Sequence, residues 1–268
     1  MRAFRVAYDG RPFHGFQRQP DVPTVEGRIF DALGELGVAE GKPEGYAAAG
    51  RTDAGASAVA QTVAFECPDW LTPSALNSEL PASIRAWASA EASGEFHATH
   101  DAAFREYVYH CYAPDADLAR AEDALARLAG RHDFHNLTPD EEGTVRELDA
   151  GVRRGGSGAD GYLVFRLRAG GFARQLVRRV VSLVRAVAAG DAEVTKVERV
   201  LGAGFVEGPA GVAPAPAYPL VLAHVEYPEL AFSVDQRAAA SARESFESLR
   251  EERATSGRVA DEIATRIE

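Results

Sequence analysis

The sequence is poor in lysine, in cysteine and in long apolar runs. Of its 29 basic residues, only Lys42 and Lys196 are lysine. The two cysteines, Cys67 and Cys111, do not form a Cys-x-x-Cys motif, so we expect them to be reduced core residues. The most apolar long stretch, residues 172–188, contains four arginines, which argues against a transmembrane helix there. These absences lead us to expect a cytoplasmic protein that does not contact a membrane.

The charge of the chain is acidic overall but unevenly distributed. There are 40 acidic residues against 29 basic ones, and the formal net charge is −11. Such a charge alone disfavours an RNA partner. Residues 146–185, however, contain nine arginines and only three acidic residues. An acidic body with one basic segment is typical of nucleic-acid-binding proteins, whereas scattered, solvated charge is the simpler alternative.

The acid excess and the scarcity of lysine together indicate adaptation to concentrated salt. At about 1 M salt the Debye length is only ~3 Å, and the affinity that comes from counterion release falls as well. RNA recognition in such a solution would depend on bidentate contacts, stacking and shape. Arginine is better suited to these contacts than lysine.

Hydrophobic periodicity predicts a chain of strands and helices. Thr24 is expected to cap a helix that ends at Gly37. The predicted strands are residues 3–9, 45–49, 59–66, 84–90, 104–112, 145–154, 161–169 and 220–227, and the further predicted helices are a short turn opened by Pro73 and residues 116–129, 171–189 and 193–202. The glycine-rich residues 155–158 are predicted to form a hairpin turn.

Residues 47–65 carry the most specific local pattern. Arg51 and Asp53 stand two apart between Gly50 and Gly55, among small apolar residues. Glycine on either side allows a tight turn and the close approach of a ligand. A carboxylate in such a sparsely polar site is costly unless it is paired, and we expect Arg51 to be the partner of Asp53. If this segment stood alone, a buried structural ion pair would be the better explanation of it.

Four stretches of the chain resemble, in order and spacing, the motifs of the TruA family of tRNA pseudouridine synthases. They are Tyr8-Asp9-Gly10 with Gly15-Phe16-Gln17-Arg18-Gln19, then Gly50-Arg51-Thr52-Asp53-Ala54-Gly55, then Arg105-Glu106-Tyr107-Val108-Tyr109, and finally the segment from Phe172 to Val181. The resemblance extends from about residue 4 to about residue 228, and the salt-adapted composition suggests an archaeal, halophilic member. An isolated Arg-Thr-Asp would be weak, but four ordered motifs are specific. The chain departs from the family pattern at Ala56-Ser57 and at Ser182.

The resemblance implies an α+β fold made of two similar α+β halves. Their strands would form one continuous, mostly antiparallel sheet with the helices on one face, the pseudouridine synthase fold. The N-terminal half, residues 1–103, would carry the aspartate loop. The C-terminal half, residues 104–228, would carry the basic helix.

The tail, residues 229–268, lies outside the resemblance. Acidic and basic residues alternate in it at helical spacing. This pattern predicts a surface helix or a pair of helices packed through Phe246, Leu249 and Ile263. Its role is left open by the sequence.

The family resemblance also implies an activity. The protein would isomerise uridine to pseudouridine in the anticodon stem-loop of tRNA, at positions 38–40. It would do so as a homodimer, with no cofactor and no metal ion. Asp53 would be the nucleophile, because a carboxylate can form a covalent intermediate that divides a difficult step into easier ones. Arg51 would orient Asp53 and help to expel the target nucleotide from its stack.

Further residues are assigned to the site by their match to the family motifs. Tyr107 would stack on the extruded uracil, and its hydroxyl would serve proton transfer at C5. Tyr109 lies on the same strand face by the period of two, so spacing alone does not distinguish the two tyrosines, although a core position suits Tyr109 better. Arg178 is expected near the uracil or near Asp53. Arg174 and Arg179 are expected to contact phosphate or solvent.

The sequence is compatible with three other interpretations. The pairs His97/His100 and His132/His135 have a spacing that suits metal binding, but no cysteine or carboxylate completes a set, so structural histidines are favoured. Phe96-His97-Ala98 also resembles a segment of the family, which implies that His97 supports the wall of the active site. A catalytically silent RNA-binding protein of the same fold would not depend on Asp53. A hydrolase with an aspartate nucleophile would need a second carboxylate nearby, and the sequence offers none beside the Arg-Thr-Asp turn.

Overall fold

The computed structural model describes residues 1–155, 161–206 and 208–267. The strands in these ranges are β1 (Arg2–Tyr8), β2 (Ala47–Ala48), β3 (Ser57–Phe65), β4 (Ile84–Glu91), β5 (Phe104–Tyr112), β6 (Gly130–Asp133), β7 (Val145–Arg154), β8 (Tyr162–Ala169), β9 (Leu220–Glu226) and β10 (Ser233–Val234). The helices are α1 (Val25–Glu35), α2 (Pro73–Leu76), α3 (Leu118–Leu128), α4 (Leu176–Ala189), α5 (Thr195–Leu201) and α6 (Gln236–Arg266). None of these helices is long and apolar enough to cross a membrane.

The strands form one sheet in the order β10-β4-β1-β3-β9-β5-β8-β7-β6, and β2 pairs with β3 beside this path. Neighbouring strands are antiparallel except β3 and β9, which are parallel and share the pairs Ser57↔Val221 and Ala58↔Leu222. The strand order repeats in the two halves of the chain. In the first half β1 lies between β4 and β3, and in the second half β5 lies between β9 and β8. Two similar α+β halves that share one mostly antiparallel sheet confirm the predicted fold class.

One face of the sheet is covered by α1, α3 and α4. Paired residues of neighbouring strands point to the same face, and the register places Tyr8, Ala58, Leu222 and Tyr107 together on it. These side chains belong to one large hydrophobic core, which also contains Val180 of α4. A single apolar core therefore joins the two halves on the helical side of the sheet.

The tail helix α6 lies against the opposite face of the sheet. Arg85 of β4 pairs with Ala7, one residue before Tyr8, and so points away from the helical side. Its Nε donates a hydrogen bond to Ser245 Oγ of α6 at 3.4 Å. After β10 the tail is one helix, and its second half projects from the body apart from an ion pair between Arg253 and Asp9 at 3.7 Å. Ile263 is 57% exposed, so the prediction that it packs against the protein was wrong.

Several local predictions are confirmed, and α4 is the main exception. Thr24 caps α1 by accepting a hydrogen bond from the Gly27 amide at 3.2 Å. Helix α4 begins at Leu176 rather than near residue 171, because Gln175 takes a left-handed conformation with φ of 61° that a helix cannot continue. The short strands β6 and β10 were not predicted. Apart from Gly155, the predicted hairpin turn lies outside the described residues.

Candidate active site

A cleft of about 1310 Å³ opens on the helical side of the sheet, where the two halves meet. Its walls come from residues 14–19, residues 50–54, residues 97–100 and residues 172–178, and Tyr107 reaches it from β5. These segments include parts of all four motifs that resemble the TruA family. Stretches that are far apart in the sequence therefore contribute to one site.

The loop that carries Asp53 is held in place by hydrogen bonds from Tyr8, Phe16 and Gln61. Thr52 Oγ1 is hydrogen-bonded to the hydroxyl of Tyr8 at 2.8 Å, and the Thr52 carbonyl accepts from the Phe16 amide at 3.1 Å. The buried amide of Gln61 donates to the Gly50 carbonyl at 2.7 Å. These bonds satisfy three polar groups of the loop, as expected for groups that are removed from water.

The segment that follows Asp53 leaves no room for a side chain at Gly10. A Cβ atom built on Gly10 would lie 1.9 Å from the Ala56 carbonyl oxygen. Ser57 Oγ accepts a hydrogen bond from the Gly10 amide at 3.0 Å. Ala56 and Ser57, two of the departures from the family pattern, therefore form the close contact between the Asp53 loop and the motif that begins at Tyr8.

Asp53 is paired with Arg178. Arg178 Nη1 donates to Asp53 Oδ2 at 2.5 Å, and Arg178 Nε donates to the Ala215 carbonyl at 2.6 Å. The side chains of Arg178 and Asp53 are 15% and 30% exposed, so the pair is partly shielded from water while still open to the cleft. A charge-assisted hydrogen bond of this kind fixes the orientation of the carboxylate.

Arg51 does not pair with Asp53, so this part of the sequence prediction was wrong. The side chain of Arg51 is exposed at the cleft, and within the described ranges it makes no salt bridge. The intervening Thr52 is buried and bonded to Tyr8, which leaves Arg51 directed toward solvent. The actual partner lies 125 positions later in the chain, so local spacing could not reveal it.

The structure distinguishes the two tyrosines of β5. Tyr107 lines the cleft, and its ring packs edge-to-face on Phe172 with the centroids 5.1 Å apart. Burial raises the pKa of Tyr107 to about 12; the charge of Arg105 opposes this rise and the charge of Asp53 reinforces it. Tyr109 is 2% exposed, does not line the cleft and donates its hydroxyl to the Pro216 carbonyl at 3.0 Å.

The arginines of residues 146–185 do not form one basic surface. Arg174 lines the cleft and is paired with Asp140, at 3.4 Å between Nε and Oδ1. Arg179 does not line the cleft and donates to the Val212 carbonyl at 2.6 Å. Arg166 lies on the other face of the sheet and is paired with Glu106 and Asp149. The single basic segment inferred from the sequence is thus divided between two faces of the protein.

Several further residues that line the cleft carry charge or can be protonated, although no substrate contact was predicted for them from the sequence. They are His14, Arg18, Glu26, Lys42, His100 and Asp140. Glu26 accepts a hydrogen bond from the Arg18 amide at 2.7 Å, so it is engaged in holding the loop before α1. Arg18 belongs to a recognised motif, but no sequence pattern points to Lys42.

The histidine pairs form no metal site within the described residues. The rings of His97 and His100 are 4.2 Å apart at the wall of the cleft, but no grouping of three histidine, cysteine, aspartate or glutamate side chains is found in residues 1–155, 161–206 and 208–267. His132 lies elsewhere, with its Nε2 2.9 Å from the Ala129 carbonyl.

Comparison with known proteins identifies the class to which this fold and site belong. A family model described as tRNA pseudouridine synthase matches residues 124–228. A protein named tRNA pseudouridine synthase A from Haloarcula marismortui is 56% identical over 98% of this chain and 98% of its own length. The same name is carried by a protein from Halobacterium salinarum, 57% identical over 98% of each chain, and by one from Thermococcus kodakarensis, 36% identical over 90% of each. The chain belongs to the tRNA pseudouridine synthase A family.

Proposed function

We propose that this protein isomerises uridine to pseudouridine in tRNA. The observation that carries the proposal is the Asp53–Arg178 pair, which lies in a cleft formed by all four family motifs. Each half of the chain supplies one member of the pair, Asp53 from residues 1–103 and Arg178 from residues 104–228. Relatives that match nearly the whole chain are named for this activity.

Asp53 is the proposed nucleophile. Its Oδ2 atom is held by Arg178, so Oδ1 is the oxygen that can attack C1′ of the target uridine. The bond between N1 and C1′ breaks, and its electron pair stays with the uracil. The uracil then turns, C5 bonds to C1′ and the carboxylate leaves. No redox step occurs, so the reaction requires no redox cofactor, and the proposed mechanism assigns no step to a metal ion.

Tyr107 is proposed to bind the uracil and to transfer the proton from C5. Because burial raises its pKa to about 12, the phenol is protonated at neutral pH. It can therefore accept the C5 proton only if it passes its own proton on. Asp53 is the candidate acceptor, since its carboxylate is free again once C1′ has bonded to C5. N1 of the uracil, which kept the electron pair of the broken bond, then takes up a proton, and Asp53 gives its proton up, so the net change moves one hydrogen from C5 to N1.

The proposed substrate segment is the anticodon stem-loop, at positions 38–40. Nucleotides there are paired or stacked, so the target base must be flipped into the cleft. Arg51 is exposed in the cleft and is proposed to occupy the space that the flipped base leaves. Arg174 is proposed to contact phosphate, while Arg179, which does not line the cleft, would act there only indirectly. We also propose that the protein works as a homodimer, with residues 229–268 as an added surface helix.

Tritium release from tRNA labelled with [5-³H]uridine tests the proposed function directly, because pseudouridine formation removes the hydrogen at C5. Asp53→Asn should abolish release while tRNA binding is retained, since the change is nearly isosteric. Asp115→Asn is the matched control: Asp115 is exposed in a turn and should tolerate the change. If wild-type protein binds tRNA but releases no tritium from any tRNA with uridine at these positions, the protein is instead a silent RNA-binding relative.

A further inference from the structure

We infer that Arg105 is a positioning residue that sets the geometry of the Asp53–Arg178 pair. The inference rests on the proposed function and adds to it the part that joins the two halves of the site. Arg105 stands two residues before Tyr107 on β5 and is 7% exposed. Its side chain does not line the cleft, so it would act through the residues that do.

The guanidinium of Arg105 binds three separate segments of the chain. Its Nε and Nη2 atoms donate to the Ala49 carbonyl at 2.9 and 2.7 Å. Nη2 also donates to the Thr99 carbonyl at 2.6 Å, and Nη1 donates to the Gly170 carbonyl at 2.6 Å. Ala49 leads into the Asp53 loop, and Gly170 leads into the segment before α4. One side chain therefore holds both walls of the cleft.

The chemistry of this contact requires arginine. A buried cation is costly, and within the described residues the Arg105 guanidinium forms no salt bridge with a carboxylate. The carbonyl oxygens of three segments satisfy it instead, through hydrogen bonds that the charge strengthens. A planar fork with donors in several directions can reach all three segments, whereas the single ammonium of lysine cannot.

Among the groups that hold the Asp53 loop, Arg105 has a distinct role. Tyr8, Phe16 and Gln61 bind Thr52 or Gly50, and all three belong to the first half of the chain. Arg105 binds the same loop at Ala49 but also binds Gly170. The distance between the Asp53 loop and the helix that carries Arg178 therefore depends on Arg105 directly.

The first test is Arg105→Lys, with Arg5→Lys as the matched control. Arg5 is also buried, at 6%, and donates to the backbone carbonyls of Ala60 and Val225. It lies on the other face of the sheet and does not bind the Asp53 loop. Both variants lose buried guanidinium hydrogen bonds, so both should melt at a lower temperature than the wild type. Misplacement of reacting groups by about 1 Å can cost roughly 100-fold in rate.

We expect kcat for tritium release to fall between about 10- and 100-fold in Arg105→Lys. The Kd for tRNA should stay within about threefold, and Arg5→Lys should keep kcat within about twofold, both expressed per folded molecule. If Arg105→Lys keeps the wild-type kcat, or if Arg5→Lys loses as much kcat as Arg105→Lys, the inference about Arg105 is overturned but the proposed function is not. An inactive wild type would overturn the proposed function as well.

A second variant covers the case in which Arg105→Lys does not fold. Arg105→Gln keeps a planar donor group of shorter reach, and the same fall in kcat with retained tRNA binding is expected. If neither variant folds under conditions in which Arg5→Lys does, Arg105 serves folding rather than positioning, and the inference is refuted.

Discussion

Replacement of Arg178 by glutamine tests the ion pair on which the proposed reaction depends. The change removes the charge that binds Asp53 Oδ2 and the Nε donor that binds the Ala215 carbonyl. Asp53 stays in place, because its loop is held separately through Thr52 and Gly50. The carboxylate therefore remains in the cleft without its orienting partner.

The expected size of the effect follows from the geometry of the pair. A hydrogen bond to a charged group contributes about 1.5–3 kcal/mol, and each 1.4 kcal/mol corresponds to roughly a tenfold change. If the whole of this hydrogen-bond energy is lost from the transition state, kcat should fall about 10- to 150-fold in Arg178→Gln. Since Asp53 is 30% exposed, the contribution of the pair to the free energy of unfolding is smaller, at about 1 kcal/mol.

Two measurements separate these effects. Steady-state tritium release with saturating tRNA gives the loss of kcat, with Arg185→Gln as control because Arg185 is an exposed residue of the same helix. A double-mutant cycle of Asp53→Asn and Arg178→Gln in chemical unfolding gives the coupling energy and cancels the lost bond to Ala215. A coupling below about 0.3 kcal/mol, together with kcat within twofold of the wild type, would refute the reasoning.

Two further predictions concern Tyr107 and Gly10. Tyr107→Phe should lower tritium release while tRNA binding is retained, whereas Tyr109→Phe should affect mainly the melting temperature. Burial raises the pKa of Tyr107 from 10.0 to about 12, so its contribution to the free energy of unfolding is complete below pH 10 and is lost as the pH rises to 12. Thermal melts between pH 10 and pH 12 should therefore show a smaller fall in melting temperature for Tyr107→Phe than for the wild type. Gly10→Ala should be unstable or inactive, because its methyl group would overlap the Ala56 carbonyl, while Gly94→Ala, with open space around it, should melt like the wild type.

Patterns with a short period predicted the strands well. The strands at residues 104–112 and 145–154 have the predicted bounds, because part of each has apolar or aromatic residues at every second position, as in Tyr107, Tyr109 and Cys111. The start of α4 was missed, since nothing in the sequence marks Gln175 as left-handed. The exposure of Ile263 was missed as well, because helical periodicity identifies an apolar stripe but not whether a partner covers it.

The candidate site shows a similar limit. Motif resemblance placed Arg178 near the uracil or Asp53, whereas local spacing suggested Arg51 as the partner of the carboxylate. The structure pairs Asp53 with Arg178, because the meeting of β3 and β9 and the course of α4 bring distant segments together. The backbone contacts of Arg105 could not be predicted either. Every residue has a carbonyl group, so the sequence does not indicate which ones a buried guanidinium will bind.

The projecting half of α6 offers a place to attach a spectroscopic reporter. Residues 251–267 are all exposed, and the helix lies on the sheet face opposite the cleft. A fluorophore on Ser256→Cys would therefore report the tumbling of the protein without entering the site. The native thiols would compete little, because Cys111 is buried and burial raises the pKa of Cys67. Fluorescence anisotropy of such a conjugate would follow complex formation in real time, even with variants that release no tritium.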